Sequence, residues 1–161
     1  MGLEPAIVLP VFTEITDRPH RFFDILPENW KEDLVPVWPE YQSTSGIYAL
    51  VQHNRIIGGG IVFRKAPPDV KPYEALANQL FDYGLLYFGF LWIVPDQRGR
   101  NYGSLWIKEL KKKLKGQAFW LAVEELGLVR FYEKNSFRAY REVLVEDRKE
   151  WLMIPVESDL L

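Results

Sequence analysis

The chain of 161 residues contains no cysteine. Disulfides, a thiolate metal site and a cysteine nucleophile are therefore excluded. Histidine is nearly absent too. His20 and His53 stand far apart in sequence, so no metal centre built on histidine is expected. No run of about 18 apolar residues occurs, which leaves no candidate for a membrane-crossing helix. Neither sign of charge is in surplus: 20 Lys and Arg stand against 22 Asp and Glu, for a net charge of −2. A protein held on nucleic acid by phosphate neutralisation needs a basic excess, so no nucleic-acid partner is expected. The opening MGLEPAIVLPVF has neither the basic start nor the long apolar core of a signal peptide. Ala6 stands where a myristoylation signal has Ser or Thr. The expectation is a cytoplasmic protein without a membrane partner.

What is present is globular in character. Hydrophobic residues make up 48% and charged residues 26%, and the length suffices for one domain, 1–161, with a real core. Aromatics reach 15%, with six Trp, which points to wide apolar walls. Ile7-Val8-Leu9 reads as a short edge strand among prolines. His20–Leu26 and Asn29–Val35 read as short helices, each closed by a proline. Gly46–Val51 and Arg55–Arg64 read as a hairpin turning at His53-Asn54. The triple glycine 58–60 inside that hairpin predicts a bulge or a close approach of another backbone or ligand. A proline-rich connection and a short helix, 66–83, follow. At the far end, Ala118–Val123 reads as a strand and Leu126–Asn135 as a helix. Phe137–Val145 and Glu150–Val156 read as a closing hairpin across residues 146–149. Trp30 and Trp38 read as core packing.

The chain turns on residues 84–116. Leu85–Val94 is an apolar run rich in aromatic and β-branched residues, the pattern of a buried strand. Pro95-Asp96 ends it. The loop Gln97–Gly103 carries two arginines and two glycines. An amphipathic helix follows, with Leu105, Trp106, Leu110 and Leu114 on one stripe and five lysines facing water, up to Gly116. Strand, Gly-rich loop and helix together make an anion cradle. The first N–H groups of a helix lack intrahelical partners and carry the positive end of its dipole. Arg98 and Arg100 would add charge-assisted hydrogen bonds. The loop lacks the Gly-Lys-Ser/Thr of a Walker A motif and is not G-x-G-x-x-G.

Ile93-Val94-Pro95-Asp96-Gln97-Arg98-Gly99-Arg100-Asn101-Tyr102-Gly103 resembles the V-x-P-x-x-R-G-x-G-x-G/A signature of the GNAT superfamily of acyl-CoA-dependent N-acyltransferases. Asn101 stands at the middle glycine. Asn is the non-glycine residue most at ease in the left-handed region. Phe131-Tyr132-Glu133-Lys134-Asn135-Ser136-Phe137 resembles the same family's F-Y-E-K-x-G-F motif, with Ser136 at its glycine. Glu125 stands where the family usually has an Asn. The two motifs span about residues 84–137 in the family's order.

The resemblance implies a mixed α/β (α+β) fold: a central, mostly antiparallel sheet of six to seven strands with about four helices, splayed between strands 4 and 5. Acetyl-CoA, the implied cosubstrate, would lie in that wedge. Its pyrophosphate would rest on the N–H groups of residues 98–104, which include Arg98, Gly99, Arg100, Asn101, Tyr102, Gly103 and Ser104. Its pantetheine arm would run along the strand at Ile93 and Val94. No metal is implied. Tyr132 matches the position of a general acid near the CoA sulfur, and a Tyr hydroxyl can protonate a departing thiolate. No carboxylate occupies Leu85–Val94, so Glu124 at the end of the next strand is the candidate base, with Glu74 and Tyr83 behind it. The acceptor would be a small-molecule or peptide amine. Tyr83, Tyr87, Phe88, Trp92 and Trp120 would suit a ring-bearing amine, or equally a core. A homodimer is left open. Two other readings remain: a non-catalytic acyl-CoA-binding regulatory module on the same fold, and a domain whose degenerate loop binds no CoA.

Overall fold

A computed structural model describes residues 8–160. Seven strands form one sheet in the order β1-β2-β3-β4-β5-β7-β6. They are β1 (Val11–Glu14), β2 (Ser45–Gln52), β3 (Arg55–Phe63), β4 (Leu85–Ile93), β5 (Ala118–Val123), β6 (Phe137–Val145) and β7 (Arg148–Pro155). Every neighbouring pair is antiparallel except β4 with β5, which is parallel. The mixed sheet expected from the resemblance is thus the sheet observed.

Two hairpins flank the centre, and both turn on two residues with positive φ. His53 and Asn54 (φ 51° and 61°) join β2 to β3, and Glu146 and Asp147 (φ 51° and 65°) join β6 to β7. Such turns match the right-handed twist of their strands. The second turn is tighter than the four residues expected, so Arg148 and Lys149 belong to β7. The edge strand begins only at Val11, beyond Pro10. Val8 and Leu9 are not in it, and Ile7 lies outside the described residues.

Helix is cut finer than expected. Pro27 precedes α2 (Glu28–Leu34), and Pro36 and Pro39 then break the run into a 3₁₀ turn and the single-turn α3 (Trp38–Tyr41). With α1 (Pro19–Phe23), α4 (Glu74–Asp82), α5 (Tyr102–Lys113) and α6 (Leu126–Lys134), six α-helical segments occur among the described residues. A proline lacks an N–H and fixes its own φ, so each one restarts the helix.

The sheet carries an apolar cluster on each face. Phe22, Leu34, Trp38, Phe63, Tyr87, Trp120, Leu152 and Ile154 are buried on the side of α1 to α4. Leu50, Phe88, Trp106, Leu110, Phe119, Tyr132, Phe137 and Met153 are buried on the side of α5 and α6. Neighbours in sequence such as Tyr87 and Phe88, or Leu152 and Met153, go to opposite faces, as the strand period of two requires. The triple glycine serves close approach. A Cβ on Gly60 would stand 2.7 Å from the Trp106 ring. That indole donates a hydrogen bond to the Tyr48 carbonyl at 2.9 Å, so α5 lies flat against the sheet.

Candidate active site

β4 and β5 pair over three steps only: Leu85 with Ala118, Leu86 with Phe119, Tyr87 with Trp120. Beyond Tyr87 they part. The cause is local. Between the pairs Gly89–Ile61 and Trp92–Gly59, two residues of β4, Phe90 and Leu91, oppose the single Gly60 of β3. Phe90 takes φ 56°. This is a β-bulge, which bends its strand and raises the local twist. A non-glycine residue in the left-handed region also stores on the order of 1–3 kcal/mol, a strain found mostly at functional sites.

A cavity of about 650 Å³ fills the opening. The other depressions described are smaller and lie along the outer face of α5. Leu91, Trp92 and Ile93 of β4 form one wall of the cavity, and Leu128, Phe131 and Tyr132 of α6 another. Arg98, Gly99, Asn101, Tyr102 and Gly103 close one end, and Trp30 of α2 lines it as well. Trp30 packs with the cluster under α1 to α4, and Phe131 with the cluster under α5 and α6. The cavity therefore reaches both faces through the splayed sheet.

The loop before α5 is built as an anion cradle. Asn101 caps the helix in the left-handed conformation (φ 62°, ψ 26°), the conformation expected of it. Gly99 has φ 80°, and the space where its side chain would stand is open. The first N–H with a protein partner is that of Leu105, bonded to the Asn101 carbonyl at 3.0 Å. Among the described residues, no carbonyl or side chain accepts from the six N–H groups of Gly99 to Ser104. Six consecutive unpaired donors at a helix N-terminus fit a phosphate group. Gly103 acts differently. A Cβ there would meet the Phe131 ring at 3.0 Å, so its bare backbone lets α5 and α6 close on each other.

The two arginines separate. Arg98 folds over the cavity wall. Its Nε donates to the Ile93 carbonyl at 2.9 Å and its guanidinium lies 4.3 Å from the Trp92 ring. Arg100 is exposed and borders a separate depression of about 360 Å³ with Ser104, Lys108 and Asn135. Ser104 Oγ accepts from Asn135 Nδ2 at 3.1 Å. Ile93 lines the cavity, but Val94 does not. The Val94 N–H bonds the Ile57 carbonyl at 2.9 Å, and its own carbonyl accepts from Gln97 at 3.0 Å. With both backbone groups used inside the protein, Val94 braces the loop instead of facing a ligand.

Tyr132 is buried and borders the cavity, and no described residue hydrogen-bonds its hydroxyl. Burial holds the phenol protonated, well above its usual range, so at neutral pH it can donate a hydrogen bond and is not a base. Glu125 lines the cavity, whereas the neighbouring Glu124 is exposed and does not. Glu124 instead adds negative potential to a group of carboxylates on the α1 to α4 side. Glu74 pairs with Lys71 at 3.4 Å, and Tyr83 is 66% exposed where α4 ends before β4 begins. Neither lines the cavity. Of the aromatics considered for an acceptor, Tyr87, Phe88 and Trp120 are core, and Trp92 alone lines the cavity.

Sequence reasoning missed three residues: Trp30, Asp69 and Glu150. Tyr87 Oη donates to Asp69 Oδ2 at 2.6 Å, and Tyr73 Oη to Glu150 Oε1 at 3.4 Å. Glu150 is 8% exposed. Burial first, then the charges of Glu124 and Asp69, push its carboxyl up to about 7. Asp69 is raised to about 6 by its dense surroundings, with Glu124 and Asp33 adding to the effect. Asp69 is exposed to solvent whereas Glu150 is buried, so Glu150 is the more firmly displaced of the two. No ion pair with Lys or Arg neutralises Asp33, Asp69, Glu124 or Glu150 among the described residues. The signal was in β7. Leu152 and Ile154 make that face apolar, and the alternation puts Glu150 on the same side.

A model of the acetyltransferase (GNAT) family matches residues 12–137. The chain belongs to that family. Its class of activity is acyl-CoA-dependent N-acyl transfer. Solved structures agree on the fold. An aminoglycoside 6'-acetyltransferase type Ii is 14% identical with a TM-score of 0.66, over 89% of this chain and 95% of that one. An aminoglycoside 6'-N-acetyltransferase complexed with coenzyme A is 14% identical with a TM-score of 0.63, over the same shares. An IAA acetyltransferase from Bacillus cereus is 12% identical with a TM-score of 0.60, over 90% and 97%. No curated protein sequence matches the chain.

Proposed function

We propose that the chain, as a single domain over residues 1–161, transfers an acetyl group from acetyl-CoA to a primary amine by direct attack. One observation carries this reading: in the run of six unpaired N–H groups from Gly99 to Ser104, Gly99, Asn101, Tyr102 and Gly103 line a cavity that Tyr132 also borders. The residues present fit the cosubstrate. The amides of Gly99 to Ser104 would hold the pyrophosphate, with Arg100 beside them. Ile93 would receive the pantetheine arm once Arg98 releases its carbonyl and turns to phosphate. Acetyl-CoA supplies an activated thioester, and the chain supplies position and protons.

The amine must arrive unprotonated at its nitrogen. Glu150 and Asp69, raised toward neutral pH, are suited to take that proton through water, with Glu124 as the exposed entry to them. The amine nitrogen bonds to the thioester carbon as the C–S bond breaks. The sulfur leaves with the electron pair and takes a proton from Tyr132. Polarisation of the oxyanion falls to backbone N–H groups at the bulge of β4.

The alternative is a module that binds acyl-CoA without turnover, favoured only by the missing carboxylate on β4. The thermal midpoint with millimolar acetyl-CoA, CoA or ATP tests the cradle. A ligand at 100 times its Kd adds about 2.7 kcal/mol to a folded state it alone binds. At that saturation the midpoint should rise by about 5–11 °C with acetyl-CoA and CoA and stay with ATP. No rise with either acyl carrier would sink both readings.

A further inference from the structure

The cavity has a second end that the acetyl-CoA reading does not use. Trp30 closes it from α2. Its ring meets Trp92 edge-on at 5.3 Å and Phe90 at 5.7 Å. Two indoles thus line the acceptor side of the splay, where the strained bulge holds Phe90 against them. The Trp92 ring already takes a cation, the Arg98 guanidinium at 4.3 Å. Trp92 Nε1 is buried without a hydrogen-bond partner. The ring faces suit flat apolar groups and positive charge, and the free indole N–H leaves room for one acceptor atom.

Charge is arranged along the same axis. Arg98 stands at the cradle end of the cavity. α2 carries Asp33 one helical turn beyond Trp30. Asp33 adds to the negative potential at Asp69, as Glu124 does at Asp69 and Glu150. Glu124 directly precedes Glu125, which lines the cavity. Asp33, Asp69, Glu124 and Glu150 have no ion-pair partner among the described residues. Such a group of carboxylates draws a cationic acceptor.

We propose that Trp30 and Trp92 select the acceptor, and that it is a primary amine on a flat apolar body, drawn in as the ammonium by the carboxylates on the α2 side. The proposal rests on the acyltransferase reading for its reaction, though not for its binding. Trp30 and Trp92 stack the apolar body and face its ammonium. Polycations gain less, because none of these four carboxylates lines the cavity and further ammonium groups would be desolvated there without a partner.

The test titrates wild type, Trp30→Ala and Trp30→Phe with 2-phenylethylamine, butylamine, spermidine and kanamycin, with and without CoA. Binding is read by quenching of tryptophan fluorescence, and turnover by CoA release. Cation–π and stacking contacts of this kind should make 2-phenylethylamine bind about tenfold tighter than butylamine. Trp30→Ala should erase most of that gap and Trp30→Phe keep part of it, with the thermal shift by acetyl-CoA retained in both. Equal binding of the two monoamines, tighter binding of spermidine or kanamycin, or a gap untouched in Trp30→Ala would overturn the proposal. Failure of acetyl-CoA to shift the midpoint would sink the acyltransferase reading alone, since amine binding is read without it.

Discussion

The seam between β4 and β5 has two halves that differ in almost every physical respect. In the closed half, three parallel pairs bring Tyr87 and Trp120 together with ring centroids 4.6 Å apart, both rings buried. In the open half, six N–H groups of the following loop lack partners and Phe90 sits in the left-handed region. A fold cannot leave this many donors unpaired without cost. The closed half is where the compensating packing lies. One strand thus carries stability at its start and the site at its end.

The comparison predicts two kinds of mutant, and the largest effect belongs to the closed half. Trp120→Ala removes a fully buried ring packed on Tyr87 and Phe81. It should cost about 3–5 kcal/mol, read by chemical denaturation. A cost below about 1 kcal/mol would mean that this half is not the anchor described. Tyr132→Phe should do the reverse. Its hydroxyl bonds to no described residue and burial already keeps it neutral, so stability should hold. Turnover should fall by about 10²-fold or more if it serves as the general acid. Unchanged turnover would remove Tyr132 from the chemistry.

The sequence showed the open half better than the closed end's neighbours. Loop, helix and wedge were legible because Arg98-Gly99 and Phe131-Tyr132 are local motifs with fixed spacing. Asn101 was legible too, because its φ follows from its own side chain. Trp30, Asp69 and Glu150 were not. Their partners are distant in sequence: Trp30 of α2 packs on Trp92 and Phe90, Asp69 of the 3₁₀ turn Pro68–Tyr73 bonds Tyr87, and Glu150 of β7 bonds Tyr73. Glu124 is exposed beside the lining residue Glu125 and does not itself line the cavity, and a one-residue step of this kind changes the face a side chain takes.

Glu150 extends the comparison to the rim. Its carboxyl is raised to about 7 from an ordinary 4.5, so folding favours its protonated form. The stability this gives is complete below about pH 4.5 and is lost as pH rises through about 7. Turnover should rise across that window if Glu150 takes the amine proton. The working form would then be the less stable one. Glu150→Gln should flatten the stability profile and gain about 1 kcal/mol at pH 8. Denaturation midpoints at pH 5 and pH 8 read it. A profile with the same slope in the variant would show that Glu150 does not titrate in this range.

The smallest effect is expected at Asn101, and it separates backbone from side chain in the cradle. Asn101 caps α5 at φ 62° with no side-chain hydrogen bond to the helix. Asn101→Gly relieves the left-handed residue and adds chain entropy to the unfolded state. These oppose each other, so stability should move by no more than about 0.5 kcal/mol. Asn101→Val, with a branched Cβ in the same conformation, should cost about 1–2 kcal/mol. If the cradle works through its N–H groups, Asn101→Gly should keep the thermal shift by acetyl-CoA. Loss of that shift in a variant of unchanged stability would mean that the amide side chain itself holds the ligand.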